Sequence, residues 1–244
     1  VKDLIIGYGE IGKSIGKVLE QAGVDYDAFD NAFPCAVEGD YNVMHVCVPF
    51  SKKFVKSILN YVGLHRPNYV VIHSTVDIGT TRKLQEKSES GWFVHSPVVG
   101  VHPNLYDGLI TFTKFFGAPI QQAAEDMSNY FNLTLGLNTR VMESSETTEM
   151  AKLLSTTYYG WNITFNKEVA LLCDEYGLDF NQVYNEWNEN YNRGYKILNM
   201  NNVIRPILKY VPGKIGGHCI MPNVEILKNK FSIAKIIKKL SRKW

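Results

Sequence analysis

Short apolar runs alternate with amphipathic stretches through the first half of the chain. LIIGYG at 4–9 leads into a helical pattern over about 10–22, and VDYDAFD at 24–30 follows as a second run, so the chain opens as a β-α-β unit. Further runs at 43–48, 69–73 and 92–95 are separated by SKKFVKSILNYV and TTRKLQEKS, whose apolar positions fall at helical spacing. Strands and helices alternating through short loops predict a parallel sheet covered on both faces. TFTKFFGA at 111–118, a helix near 120–131 and TLGLNTRVM at 134–142 read as the end of that sheet, with the last two strands in it, closing a first domain over 1–142.

The period then changes. Met150, Leu153, Leu154, Tyr158, Trp161, Phe165, Val169, Leu172 and Tyr176 recur at spacings of three and four, which predicts one long helix or two collinear ones. Ser144 or Ser145 can cap its start, Glu146 and Glu149 suit the positive end of its dipole, and Gly177 suits its C-terminus. A helix near 181–190 and a last one over about 224–240 follow, with PGKIGGHCIMPN as an irregular loop between them. The expected fold is therefore α/β: a Rossmann-type, doubly wound parallel sheet followed by a mainly helical domain over 143–244.

Composition adds mainly exclusions. The 244 residues are 45% apolar and carry 26 Lys and Arg against 24 Asp and Glu, a net charge of +2, so there is no global field to attract nucleic acid. No apolar run approaches the length of a membrane helix and VKDLII does not open as a signal peptide, so the expected setting is cytoplasmic, with no membrane partner. Cys35, Cys47, Cys173 and Cys219 lie far apart without a C-x-x-C pair, which reads as reduced thiols and no metal site.

The candidate chemistry starts at G-Y-G-E-I-G. Gly7 permits a tight turn, Gly9 leaves room for a pyrophosphate, and Gly12 allows close packing of helix on strand, with Glu10 and Ile11 opening the helix. Asp30 ends the second strand, where a carboxylate can accept both ribose hydroxyls. Asn31, Ala32 and Phe33 supply no Arg for a 2′-phosphate, so NAD is favoured over NADP. Val48 and Pro49 end the third strand, and Ser74 and Thr75 the fourth, on the carboxyl edge where a dinucleotide lies.

Lys152 and Thr156 share one face of the long helix, as a solvated pair or as part of a site. Cys219 sits in G-G-H-C behind Pro212, Gly213 and Gly216. A free Cys is commonly a small buried hydrophobe, but glycines packed before one suit backbone approach to a ligand. The C-terminal stretch places Ile226, Leu227, Phe231, Ala234, Ile237 and Leu240 on one stripe and lysines opposite, as a docked helix or a membrane-surface one.

GYGEIG with Asp30, HSTVDIGTT at 73–81, the stretch SSETTEMAKLLSTTYYGWNITFNKEVALLCDEYGLD and VPGKIGGHCIMPN together resemble the UDP-glucose/GDP-mannose 6-dehydrogenase family. The resemblance spans the first two parts of that family's architecture, as in a shortened relative without the C-terminal nucleotide-binding part. It implies NAD-dependent oxidation of a sugar C6 alcohol, on a sugar or sugar-nucleotide substrate, through a covalent adduct on Cys219. Lys152 would be the cation near the reacting oxygen, Thr75 the Thr of the family's S-T-V motif, and Lys209, Gly216 and Gly217 would lie on the substrate loop. The resemblance also implies a homodimer through the long helix. Thr156 stands where the family has Asn, Asn223 where it has Asp, and Pro97-Val98-Val99-Gly100 where it has Pro-Glu-Phe-Leu; neither Asn223 nor Val98 can act as a base. Two other readings stand beside this one: a two-electron dehydrogenase of hydroxy-acid type using Lys152, and a non-catalytic NAD-binding remnant.

Overall fold

Five strands of four residues alternate their side chains between two faces, and both faces are mainly apolar, so the sheet must be covered twice. The computed structural model describes residues 2–30, 40–216 and 219–244. Asn31, Ala32, Phe33, Cys35, Gly217 and His218 lie outside the described residues. The sheet is parallel, in the order β2-β1-β3-β4-β5, with β1 at Asp3–Ile6, β2 at Tyr26–Phe29, β3 at Val43–Val46, β4 at Tyr69–Ile72 and β5 at Trp92–His95. Ile5, Val43, Val71 and Val94 pack on one face with Ile15, Val18 and Leu19 of α1 (Glu10–Gln21) and with residues of α4 (Leu105–Thr111) and α5 (Gln121–Asn129). Leu4, Ile6, Met44, Val46, Val70, Ile72 and Phe93 pack on the other with α2 (Phe54–His65) and Leu84 of α3 (Thr80–Lys87). Each fully buried aliphatic side chain contributes about 1.5–3 kcal/mol. This is the doubly wound α/β architecture expected of the sequence.

The last two strands depart from expectation. β6 (Lys114–Phe116) and β7 (Thr139–Val141) pair with each other in a separate two-stranded parallel sheet. Among the described residues the backbone link to the main sheet is an antiparallel bridge between His95 and Gly117, closed by hydrogen bonds of 2.8 and 3.0 Å. The chain at Gly117 lies against the entry to the next helix: a Cβ there would stand 2.2 Å from the Ser144 carbonyl oxygen, so the backbone turns to this contact instead of extending a ladder. The segment 105–111, with no helical pattern recognised in the sequence, forms α4.

α6 runs unbroken from Ser145 to Tyr176. Ser144 Oγ accepts the Thr147 N–H at 3.2 Å, which makes Ser144 the cap. Gly177, at φ +64°, ends the helix, and the Leu178 N–H donates to Cys173 O at 2.9 Å. The chain forms two compact units, Val1–Lys152 and Leu153–Trp244, the first ending inside α6. In the second unit a wide-turned segment, Asn181–Glu186, runs directly into α7 (Trp187–Ile197), extending the expected helix. The expected final helix is two, α8 (Ile220–Leu227) and α9 (Ser232–Leu240). The Lys230 and Phe231 N–H groups both turn back to Leu227 O, which breaks the run. Ala234 and Ile237 of α9 are fully buried, so its apolar stripe is docked on protein. No helix of the described residues is long and apolar enough to cross a membrane.

Candidate active site

The turn from β1 into α1 needs its glycines for different reasons. Gly7 has φ +94°, and a Cβ would meet Val48 Cγ1 at 2.9 Å and the Cys47 carbonyl carbon at 3.0 Å. At Gly12 a Cβ would stand 2.1 Å from Gly7 O, so α1 lies hard against the turn. Gly9, the N-cap of α1, has nothing within 4 Å of a built Cβ and caps no backbone group with a side chain. An open approach to a helix N-terminus is a site for an anionic group. Asp30 Oδ2 accepts the Tyr8 N–H at 2.8 Å, which brings the carboxylate at the end of β2 against the glycine turn. Ser74 Oγ donates to Val48 O at 2.6 Å, tying the ends of β4 and β3 together, with Pro49 exposed and Thr75 half-buried beside them. Gly7, Gly9, Glu10, Ile11, Gly12, Asp30, Val48, Pro49, Ser74 and Thr75 thus share one edge of the sheet. An open N-terminus flanked by a carboxylate fits a dinucleotide.

Glu10, the first residue of α1, is paired with His102 Nδ1 from the loop after β5. Lys152 Nζ donates to Val98 O at 2.9 Å, so the segment that carries no carboxylate in this sequence presents a carbonyl instead. One turn earlier, buried Glu149 accepts the Gly79 N–H at 2.6 Å and the Thr81 N–H and hydroxyl at 2.9 and 2.7 Å. It closes the N-terminus of α3 in place of a local cap. Burial raises its carboxyl above the usual range, against the opposing pull of those hydrogen bonds.

Cys219 is exposed and is the N-cap of α8. Its neighbour Ile220 packs on α6 at Gly160, where a Cβ would stand 2.7 Å from Ile220 Cγ2; the glycine sets how closely the two helices approach. Asn223 is buried in the first turn of α8, and its N–H donates to Cys219 O at 3.4 Å. Lys209 and Gly216 are exposed, and Thr156 is half-buried on α6. The loop bearing Lys209 and Gly216 is fixed by residues that the apolar period of α6 did not single out. Asn166 donates to Leu208 O at 2.8 Å, and Lys167 Nζ donates to Gly213 O at 2.6 Å and to Val211 O. Burial lowers the Lys167 ammonium. Lys152 belongs to the first unit and Cys219, Thr156, Asn223, Lys209 and Gly216 to the second. Among the described residues no three His, Cys, Asp or Glu side chains gather as a metal-binding set.

Residues 146–243 match the UDP-glucose/GDP-mannose dehydrogenase family, central domain. A UDP-N-acetyl-D-mannosamine dehydrogenase of Methanococcus vannielii is 29% identical over 185 residues, 75% of this chain and 40% of that protein. The protein of the same name from Methanococcus maripaludis is 26% identical over 222 residues, 90% of this chain and 48% of the relative. The chain therefore spans about half the length of the curated relatives it matches. Among solved structures, a UDP-D-ManNAc dehydrogenase from Pyrococcus horikoshii superposes with a TM-score of 0.75 at 18% identity, covering 99% of this chain and 68% of that one.

Proposed function

From a chain whose residues 146–243 match the central domain of the UDP-glucose/GDP-mannose dehydrogenases, we propose an NAD-dependent dehydrogenase that oxidises the C6 alcohol of a nucleotide sugar through an adduct on Cys219. The observation that carries it is the glycine turn: two glycines that admit no side chain flank one whose Cβ direction is open, at an uncapped helix N-terminus beside Asp30. When bound there, NAD supplies the hydride acceptor. The amide groups at the start of α1 receive the pyrophosphate, and Asp30 receives ribose hydroxyls and repels a 2′-phosphate.

Cys219 Sγ adds to an aldehyde carbonyl carbon: the S–C bond forms as the C=O π bond opens, and the thiol proton ends on the oxygen. The family resemblance would give Lys152 the role of the cation for that oxygen. Asn223 is an amide and holds no base, and Val98 offers only its carbonyl, already engaged by Lys152. Loss of a hydride from that adduct to a second NAD would leave an acyl group on Cys219, whose release is slow, since unassisted proton transfer forfeits about two to four orders of magnitude. The outward stripe of α6, with Leu154, Tyr158, Phe165, Leu172 and Tyr176 exposed, supports a homodimer.

The test is incubation of the protein with NAD and a panel of sugar nucleotides, following reduced cofactor and the intact mass of the chain. The expected result is a burst of at most two NADH per site with a sugar nucleotide, one for alcohol to aldehyde and one for the oxidation of the Cys219 adduct, and at most one with the corresponding aldehyde, with a Cys219 adduct that is absent from Cys219→Ser. Tighter binding of NADP than NAD by calorimetry, or no reduction with any sugar nucleotide, overturns the proposal.

A further inference from the structure

Asp3, His45, His73 and Lys114 stand in line across the sheet, each 3% exposed or less, on the face packed by Phe131. Asp3 Oδ2 accepts the Tyr130 hydroxyl at 2.6 Å, and Oδ1 accepts the Val43 N–H at 3.2 Å. His45 Nε2 lies 3.1 Å from Asp3 Oδ2, His45 Nδ1 lies 3.1 Å from His73 Nε2, and His73 Nδ1 lies 3.2 Å from Lys114 Nζ. Lys114 Nζ also donates to Ser96 O at 2.8 Å.

These contacts fix the direction of the chain. A carboxylate only accepts, so His45 Nε2 carries a hydrogen; a neutral His45 then accepts at Nδ1, which requires a hydrogen on His73 Nε2 and leaves His73 Nδ1 to accept from Lys114. Every donor points toward Asp3. His73 Nδ1 also lies 3.0 Å from Ser96 O, so the same ring has a second acceptor waiting if its Nδ1 is protonated.

We propose that Lys114, His73, His45 and Asp3 form a buried relay that holds one proton in two places, on Lys114 at the carboxyl edge of the sheet or on His45 beside Asp3. The transfer balances. Lys114 Nζ–H breaks as His73 Nδ1–H forms, and His73 Nε2–H breaks as His45 Nδ1–H forms. Lys114 becomes a neutral amine still donating to Ser96 O, His73 is neutral in its other tautomer, and His45 is an imidazolium against the Asp3 carboxylate. No oxidant or outside acid is needed.

The surroundings loosen the hold of Lys114 on its proton. Burial above all lowers the Lys114 ammonium to about 7, with repulsion from Lys152 in the same direction and Cys47 opposing. The rings of Phe116 and Phe131, 5.8 and 5.6 Å from Nζ, favour the charge. Burial holds His73 well below its usual value, which keeps it a conductor between the two charged ends. Burial pushes Cys47 up to about 12 and His95 down to about 3, so both stay neutral beside the array. His95 is also held by Thr148 Oγ1 and Ser74 O at 2.8 and 3.2 Å, outside the line.

The experiment is a pH titration of the full chain labelled with nitrogen-15 in histidine, with His45→Gln and His73→Gln used to assign the ring signals. The relay predicts that the Nδ1 signals of His45 and His73 move together through a single step as the array loses its shared proton. That step disappears in Lys114→Arg, whose guanidinium does not release its proton, and grows in amplitude in Lys114→Met, where the amine no longer competes for it. Flat ring signals in the wild-type protein place the proton on Lys114 alone and overturn the relay. A step unchanged in midpoint and amplitude in both Lys114 variants shows the histidines titrating by themselves and overturns it equally, and the wild-type titration decides even where a variant does not fold.

Discussion

At Gly9 and Gly12 a single added methyl group meets opposite surroundings. Gly9→Val places its side chain in open space at an extended φ of −74°, so the fold should tolerate it while affinity for NAD falls at least about tenfold by calorimetry. Gly12→Ala drives a Cβ against Gly7 O and should cost about 2–3 kcal/mol in denaturant unfolding. Lys114 gives a pH-dependent signature of its own. Its folded value is about 7 and its unfolded value about 10.4, so between them the unfolded chain binds a proton that the folded one does not. Stability from this group therefore rises with pH across that window, by up to about 1.4 kcal/mol per unit, and its full cost is present below about 7. Lys114→Met should remove that rise relative to wild type in denaturant titrations at about pH 7 and 9. The glycine turn was legible because its spacing is dictated by close approach. The buried array was not, since His45, His73 and Lys114 each sit singly in an apolar run and only strand register brings them together.

Among the elements, α6 explains most of what pattern reading gained and lost. Its ends were legible in Ser144 and Gly177, which act locally. Of its buried face the period picked out Leu153 but not Thr157, Gly160, Thr164, Ala170 and Cys173, which also face protein, whereas much of the large apolar stripe faces outward. Among them Gly160 is what allows α8 to come near. Gly160→Val should push Ile220 and the N-terminus of α8 away, lowering the alkylation rate or adduct yield at Cys219 several-fold while Gly9-dependent NAD affinity is kept. The split between α8 and α9 escaped the pattern because Ile226 to Leu240 keeps a helical period through a break made by backbone turns at Leu227.

For the whole molecule, the outward stripe of α6 predicts association. Light scattering at micromolar concentration should read twice 27.7 kDa, and Tyr158→Glu combined with Phe165→Glu should return it to 27.7 kDa; a single-chain mass for the wild type refutes the dimer. The parallel β-α architecture was plain in the sequence because short, mainly apolar strands alternate with amphipathic helices, while the separation of β6 and β7 from the main sheet, beside the close approach of Gly117 to Ser144, is encoded by no period. The hold of Glu149 on α3 has a bearing on how this chain emerges from the ribosome and how it can be cut. Three donors at the start of α3 find their acceptor only when a residue almost seventy positions later has been made, so the sheet-bearing half finishes folding after translation has passed into the long helix. A fragment stopped at 142 contains every strand and still leaves those donors open; one carried through Lys152 closes them.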